Sequence, residues 1–354
     1  MAGREWGERW QHEMYDAARR ALPAPVMRHI EQGAHEGITA ARALDSWAQI
    51  PLSPRVLRDV SEVDLSTNLL GTGFETPIGI APTSMQHLCD PDGEVAMARA
   101  AAVTGTLLVV PTNAGSRFED IAETGVTWWL QTYLTADRSI IEQVVRRAVA
   151  AGAQAIVLTV DTPVVSTRFG AHAPDWADVA EPAVRTNFER GRDRTEPGAA
   201  HAQDVTVADI AWLVEISGLP VVVKGVLRPD DARRAVQFGA SAVWVSNHGG
   251  RQLDRSLSTA AALGSVISAL GSAAEVYVDG GIRSGLDVLS ALALGAKGVF
   301  LGRVPVFALA AGGSDAVRSA LGLLRVELEE AMKLAGCICP ADARSVVSTT
   351  PPGR

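Results

Sequence analysis

Three segments of this chain repeat one local pattern, and that pattern narrows the choice of fold sharply. Ala148–Leu158 reads AVAAGAQAIVL, Ala235–Val245 reads AVQFGASAVWV, and Ala291–Leu301 reads ALALGAKGVFL. Each is a helix end, a glycine–alanine break and a short apolar run. The glycine supplies the left-handed residue that ends a helix, and the run after it suits a buried strand. A strand covered by helices on both faces belongs to a parallel sheet. Gly239 and Gly295 stand two βα units apart, at about 28 residues per unit. Gly152 and Gly239 are separated by two units and a long insertion. Eight strands follow: Thr76–Pro82, Thr106–Pro111, Thr127–Gln131, Ala155–Val160, Pro220–Lys224, Ala242–Ser246, Glu275–Asp279 and Gly298–Leu301. Strands alternating with helical patterns predict an α/β fold, here a (β/α)8 TIM barrel.

The remaining chain attaches to this frame. Residues 1–70 read as an N-terminal extension, helical and then irregular. Residues 71–340 hold the barrel, with a closing helix over 315–336, and residues 341–354 form a tail. Ser139-Ile140-Ile141-Glu142 matches a capping box. Ile140, Ile141, Val144, Val145 and Ala148 continue it as an apolar stripe. Pro229 suits the first turn of a helix closed by Gly239. Residues 168–210 are polar and rich in Pro, Asp and Arg, which predicts a long loop after strand 4.

Composition excludes several functions. The 354 residues are 47% hydrophobic with a net charge of −8. No Lys/Arg run supplies the basic face that nucleic acid requires. Cys89, Cys337 and Cys339 form no metal-binding spacing and read as ordinary thiols. No HxH or HExxH pattern occurs, so no metal is expected. The charged start MAGREWGERW lacks the apolar stretch of a secretory signal, and no apolar run is long enough to span a membrane. A cytoplasmic enzyme without a membrane partner is expected.

In such barrels the active site lies at the C-terminal ends of the strands. The polar residues of this chain collect there. Strand 1 ends in Pro82-Thr83-Ser84, strand 3 in Gln131-Thr132-Tyr133, and strand 4 in Thr159-Val160-Asp161. Strand 5 ends in Lys224-Gly225, strand 6 in Ser246-Asn247-His248-Gly249-Gly250-Arg251, strand 7 in Asp279-Gly280-Gly281-Ile282-Arg283, and strand 8 in Gly302-Arg303. Glycines 280 and 281 let backbone N–H groups approach an anion. Arg283 and Arg303 add charge at the loops where this fold usually holds phosphate. Lys224 suits a Schiff-base nucleophile or a cation facing a cofactor. His248 with Asp161 suits a general base, and Arg251 suits a bidentate clamp on a carboxylate. His87, after strand 1, reads as support for its loop.

The segment Val245–Asp254, VSNHGGRQLD, resembles a signature of the FMN-dependent 2-hydroxy-acid oxidase and dehydrogenase family. PIGIAPTSMQ at 77–86, LTVDTP at 158–163, VKGV at 223–226, VDGGIRSG at 278–285 and ALALGAKGVFLGR at 291–303 match in the same order. The resemblance implies FMN as cofactor, a small 2-hydroxy acid as substrate and a homo-oligomer, a tetramer, as the assembly. It leaves the electron acceptor open among dioxygen, a quinone and a carrier protein. It implies His248 as base, Asp161 as its partner, and Tyr133 on the reacting oxygen. Arg168 and Arg251 would hold the carboxylate. Pro82, Thr83, Ser84, Gln131, Thr159, Lys224 and Ser246 would contact the flavin ring, which turns Lys224 toward the cofactor. Asp279 would bind the ribityl chain, and Gly280, Gly281, Arg283, Gly302 and Arg303 the phosphate. Two positions depart from the family pattern. His29 stands where most members place a tyrosine, four residues before a glycine. The loop after strand 2 reads Pro111-Thr112-Asn113-Ala114 instead of serines and an aromatic residue. His29 and Asn113 therefore mark an unusual substrate wall, and a larger or carrier-tethered acid is the alternative substrate. A non-redox, phosphate-binding lyase or isomerase using Lys224 is the alternative from another class.

Overall fold

Each of the eight expected strands is present in the computed structural model, which describes residues 9–169 and 183–347. A small antiparallel hairpin, β1 (Thr67–Leu69) and β2 (Thr72–Phe74), precedes the barrel. The barrel strands are β3 (Ile78–Ile80), β4 (Leu107–Pro111), β5 (Trp128–Thr132), β6 (Ile156–Thr159), β7 (Val221–Val226), β8 (Ala242–Val245), β9 (Glu275–Val278) and β10 (Gly298–Leu301). They pair in sequence order, all parallel, and β10 closes on β3 through Val299–Ile78 and Leu301–Ile80.

Alternation along the strands builds two apolar layers. Val157, Val222, Trp129, Trp244, Tyr277 and Phe300 fill the barrel interior. Trp244 and Phe300 meet with ring centroids 4.0 Å apart. Ile156, Leu158, Val221, Val223, Val243 and Val245 belong to the outer cluster beneath the helices. The helices between strands are α4 (Gly93–Val103), α5 (Phe118–Ala122), α6 (Arg138–Ala150), α7 (Ala208–Ser217), α8 (Pro229–Gln237), α9 (Thr259–Leu270) and α10 (Gly285–Leu294). The last helix, α11 (Arg303–Ala335), breaks at Gly312–Gly313, so its second half is the expected closing helix. Among the described residues, no helix is long and apolar enough to cross a membrane.

The start of α6 differs from expectation. Its N-cap is Asp137, whose carboxylate accepts from the backbone N–H of Ser139 at 3.0 Å. Ser139 is therefore the second residue inside the helix, and Glu142 pairs with Arg146 at 2.8 Å instead of closing a capping box. A carboxylate satisfies free N–H groups and meets the positive helix end, which favours Asp137 over the hydroxyl. A capping box does form at α10, between Ser284 and Asp287.

The N-terminal extension forms α1 (Trp10–Ala21), α2 (Ala24–Glu31) and α3 (Ile38–Ala48). Trp10, Met14, Val26, Met27 and Trp47 belong to the outer barrel cluster, and Trp10 Nε1 donates to Glu327 of α11. The chain around residue 33 and α3 lies against the loops after β8 and β9. Ala34 N–H donates to Gly250 O at 2.8 Å, and Trp47 Nε1 donates to Gly280 O at 2.7 Å. Near the other end, Val347 pairs with Leu52, and Ala343 and Val346 are buried. The expected loop at 168–210 and tail at 341–354 lie partly outside the described residues.

Candidate active site

His248 follows β8, where its backbone adopts φ of 58°, an uncommon conformation for a residue with a side chain. Ser246 Oγ accepts from its N–H at 3.1 Å. Across the barrel mouth, Asp161 at the end of β6 brings Oδ1 to 3.0 Å from His248 Nδ1. A carboxylate only accepts, so Nδ1 carries the proton and Nε2 presents a lone pair. Nε2 faces the Tyr133 hydroxyl at 3.5 Å. Burial raises the Asp161 carboxyl, but the imidazole hydrogen-bonded to it and the Lys224 charge outweigh it and hold the group below its ordinary range. Gly225 makes this approach possible. Its φ is +107°, β7 shifts register there, and a Cβ would meet Asp161 Cβ at 2.7 Å.

Lys224 enters from β7 and is buried. Its Nζ donates to Ser246 Oγ at 2.8 Å and pairs with Asp279 Oδ2 at 3.2 Å. Burial opposes the charge, yet Asp279 and Asp161 prevail and raise the ammonium above its ordinary range. A protonated amine is a poor Schiff-base nucleophile, so this geometry supports the electrostatic role. Asp279 Oδ1 is buried without a partner among the described residues. Gln131 and Thr159 share a 3.1 Å hydrogen bond on the neighbouring strands β5 and β6.

Four guanidiniums surround this centre, and none forms an ion pair among the described residues. Burial lowers all four: Arg251 to about 9 and Arg303 to about 10, with Arg168 and Arg283 also below the ordinary value. Neighbouring arginines add to the effect at Arg251 and Arg303. Arg168 Nη1 lies 3.3 Å from His29 Nδ1, while its buried Nε has no hydrogen-bond partner among the described residues. Arg251 Nη1 donates to the carbonyls of His29, Ile30 and Gln32. Such a desolvated cationic group fits an anionic ligand.

Several expected site residues also make contacts within the chain. Arg303 gives Nε, Nη1 and Nη2 to the carbonyls of Ile30, Gly249 and Glu31, so its fork ties the N-terminal segment to the β8 loop. A Cβ on Gly281 would meet Ala43 O at 2.2 Å, so α3 as well as a ligand requires glycine there. Asn113 is turned to Arg185, whose Nε donates to it at 3.2 Å. Pro82, Thr83 and Ser84 lie half-buried after β3, and Gly302 is half-buried after β10. His87 bonds Pro91 O and Ser116 Oγ, supporting its loop.

Sequence reasoning missed four contributors. Thr162 Oγ1 bonds Asp161 and accepts from Gln252 Nε2 at 2.7 Å; its signal was its place beside Asp161 in LTVDTP. His201 stacks on Tyr133 with ring centroids 4.7 Å apart, and buried Arg185 secures the returning loop through the carbonyls of Gly191 and Ala199. Neither has a sequence signal, because the segment is polar and irregular.

Burial lowers His29 and His201 from 6.5 to about 4, with Arg251 and Arg168 contributing at the first and Arg194 and Arg185 at the second. Both rings stay neutral in the folded chain down to about pH 4, whereas the unfolded chain protonates them near 6.5. The unfolded state binds more protons between these values, so stability falls as pH is lowered through that window. The melting temperature should drop more steeply there in the wild type than in a His29→Gln/His201→Phe variant. Equal slopes would refute the assignment.

Known proteins resemble this chain over nearly its whole length. Residues 18–349 match the family described as FMN-dependent dehydrogenase. Glycolate oxidase 1 of Oryza sativa subsp. indica is 42% identical over 340 residues, covering 92% of this chain and 91% of that protein. The glycolate oxidase of Spinacia oleracea is 41% identical over 339 residues, 91% of each. A crystal structure of mandelate oxidase superposes with a TM-score of 0.89 at 37% identity, over 95% of this chain and 97% of that one. A mandelate oxidase variant with a C4a-OH-FMN adduct superposes at 0.88 and 37% identity, over 94% and 98%.

Proposed function

This chain belongs to the FMN-dependent dehydrogenase family, and from that premise we propose that it oxidises a free 2-hydroxy acid to the 2-oxo acid with His248 as the base. One observation carries the reading. An imidazole fixed by a carboxylate on Nδ1 offers Nε2 to a phenol, beside desolvated guanidiniums that form no ion pair among the described residues.

The residues present fit FMN. Asp279 Oδ1, without a partner among the described residues, and the desolvated Arg283 and Arg303 accord with a hydroxylated chain ending in phosphate, beside Gly280, Gly281 and Gly302. Gln131, Thr159, Lys224, Ser246 and the backbone of Pro82–Ser84 would hold the ring. When bound, FMN accepts the two electrons of the oxidation.

Arg251 and Arg168 bind the substrate carboxylate. Neutral His29, with Nδ1 toward Arg168, adds a polar wall without adding charge. The Tyr133 hydroxyl and His248 Nε2 then bracket the reacting carbon–oxygen group, and Nε2 takes a proton from the substrate. The imidazolium that results is stabilised by Asp161 at 3.0 Å. Lys224, buried and held positively charged by Asp279 and Asp161, would stabilise the negative charge that the ring gains on reduction.

Anaerobic mixing of the FMN-loaded protein with glycolate, lactate and mandelate tests the reading. At least one should bleach the flavin, and bleaching by no 2-hydroxy acid would sink it. Arg251→Lys should raise the apparent dissociation constant of that acid about tenfold, since a point charge does not replace the fork. Unchanged affinity would remove Arg251 from the pocket.

A second reading, the same oxidation of a larger or tethered acid, is favoured by the loop after β4. Asn113 is engaged by Arg185, and no aromatic side chain stands between Pro111 and Ser116. A screen in which only small free acids turn over rejects it. We also expect copies of the chain to assemble as a tetramer, which light scattering of the purified protein would test.

A further inference from the structure

We propose that His201 is a positioning residue for the oxidation: its ring is a plate that holds the Tyr133 phenol against His248. The inference rests on the role given above to Tyr133. It begins with the backbone. After the long excursion that follows β6, the chain returns beside the extension of β5. Ala202 N–H donates to Leu134 O, Ala136 N–H to Ala200 O, and Asp137 N–H to Gly198 O, each at 2.9 Å. Thr135 and His201 pair in this short antiparallel ladder. Arg185 locks the returning strand by donating to Ala199 O at 3.1 Å. His201 therefore arrives at a fixed height beside Tyr133.

The two rings stack at 4.7 Å with planes 24° apart. Tyr133 and His201 also line a cavity of about 360 Å³ that runs past Thr162 and Ile210 toward α7 and α8. The phenol thus has empty space beside it, and a plate is needed to keep it from turning away from His248. The imidazole is not held there for its polar chemistry: Nε2 is buried with no hydrogen-bond partner among the described residues. Burial and the nearby arginines also keep the ring neutral. A neutral imidazole stacked on a phenol, its Nε2 without a partner among the described residues, contributes shape and rigidity, like any planar ring.

This predicts a specific pattern in the anaerobic reduction of bound FMN by a 2-hydroxy acid. His201→Ala should slow reduction at saturating substrate about tenfold, because misplaced reacting groups lose rate steeply. Substrate affinity should change little, since Arg168 and Arg251 are untouched. His201→Phe should restore most of the rate. In a Tyr133→Phe background, His201→Ala should cost nothing further, because the hydroxyl it positions is gone. Flavin content of each variant reports its folding; if the alanine variant loses FMN, His201→Leu, which fills the volume without a plane, takes its place. Equal losses in the phenylalanine and alanine variants, full additivity with Tyr133→Phe, or no loss on removing the ring would each overturn the proposal. A Tyr133→Phe variant as fast as the wild type would instead overturn the role of Tyr133, and the inference with it.

Discussion

His248→Ala should retain its bound FMN and reduce it by a factor of about 10²–10⁴ more slowly with any 2-hydroxy acid. Retention is expected because the residues suited to the cofactor, Lys224, Ser246 and Asp279, hold one another without the imidazole. The loss is expected because His248 Nε2 is, among the described residues, the basic atom with its lone pair directed at the Tyr133 hydroxyl. His29 and His201, also near the mouth, are pushed to about 4 by burial and neighbouring arginines and are weak bases. Asp161→Asn should be slower than wild type as well, since an amide facing Nδ1 no longer stabilises the imidazolium. Stopped-flow reduction under anaerobic conditions reads both effects. A His248→Ala enzyme that reduces flavin at the wild-type rate would remove the base from the mechanism.

Lys224→Met should produce the largest loss of stability of any single change in the site, about 3–5 kcal/mol, because it leaves a buried carboxylate unpaired. Asp279 sits 3.2 Å from the ammonium, and its other oxygen has no partner among the described residues. Removing Lys224 strips the charge that makes burial of Asp279 tolerable. Asp161 loses a neighbouring cation at the same time. Removing both partners should hurt less than removing one, so Lys224→Met/Asp279→Asn should regain part of the stability. Urea unfolding of the FMN-free proteins measures this directly. If the single variant is as stable as the double, the pair is not the coupled unit the geometry suggests.

Much of this architecture is legible in the chain, for a physical reason. A strand buried on both faces must be apolar along its whole length, and the helix before it needs a residue that accepts a left-handed conformation. Both demands are local, so the Gly152, Gly239 and Gly295 breaks reveal the strands that follow them. Strand ends are legible too, because polar residues after an apolar run mark the mouth. The contacts across the mouth are not. Nothing local to Arg303 says that its fork will close on the carbonyls of Ile30 and Glu31. Nothing in Gly198–Ala202 announces a partner strand at Leu134–Asp137, yet this pairing delivers His201 to Tyr133. Asp137 shows the same limit at short range: two adjacent capping patterns compete, and the stronger acceptor wins.

The mouth of the barrel is stitched between the two ends of the chain. Arg251 reaches back 222 positions to His29, Trp47 forward 233 to Gly280, and Arg303 back 273 to Ile30. The segment that precedes the barrel must therefore wait for the last strands before its own carbonyls and indole find their mates. Contacts of such span form late and together. A nascent or half-folded chain can hold helices and strands, but it has no reactive centre, so chemistry begins only once the molecule is whole.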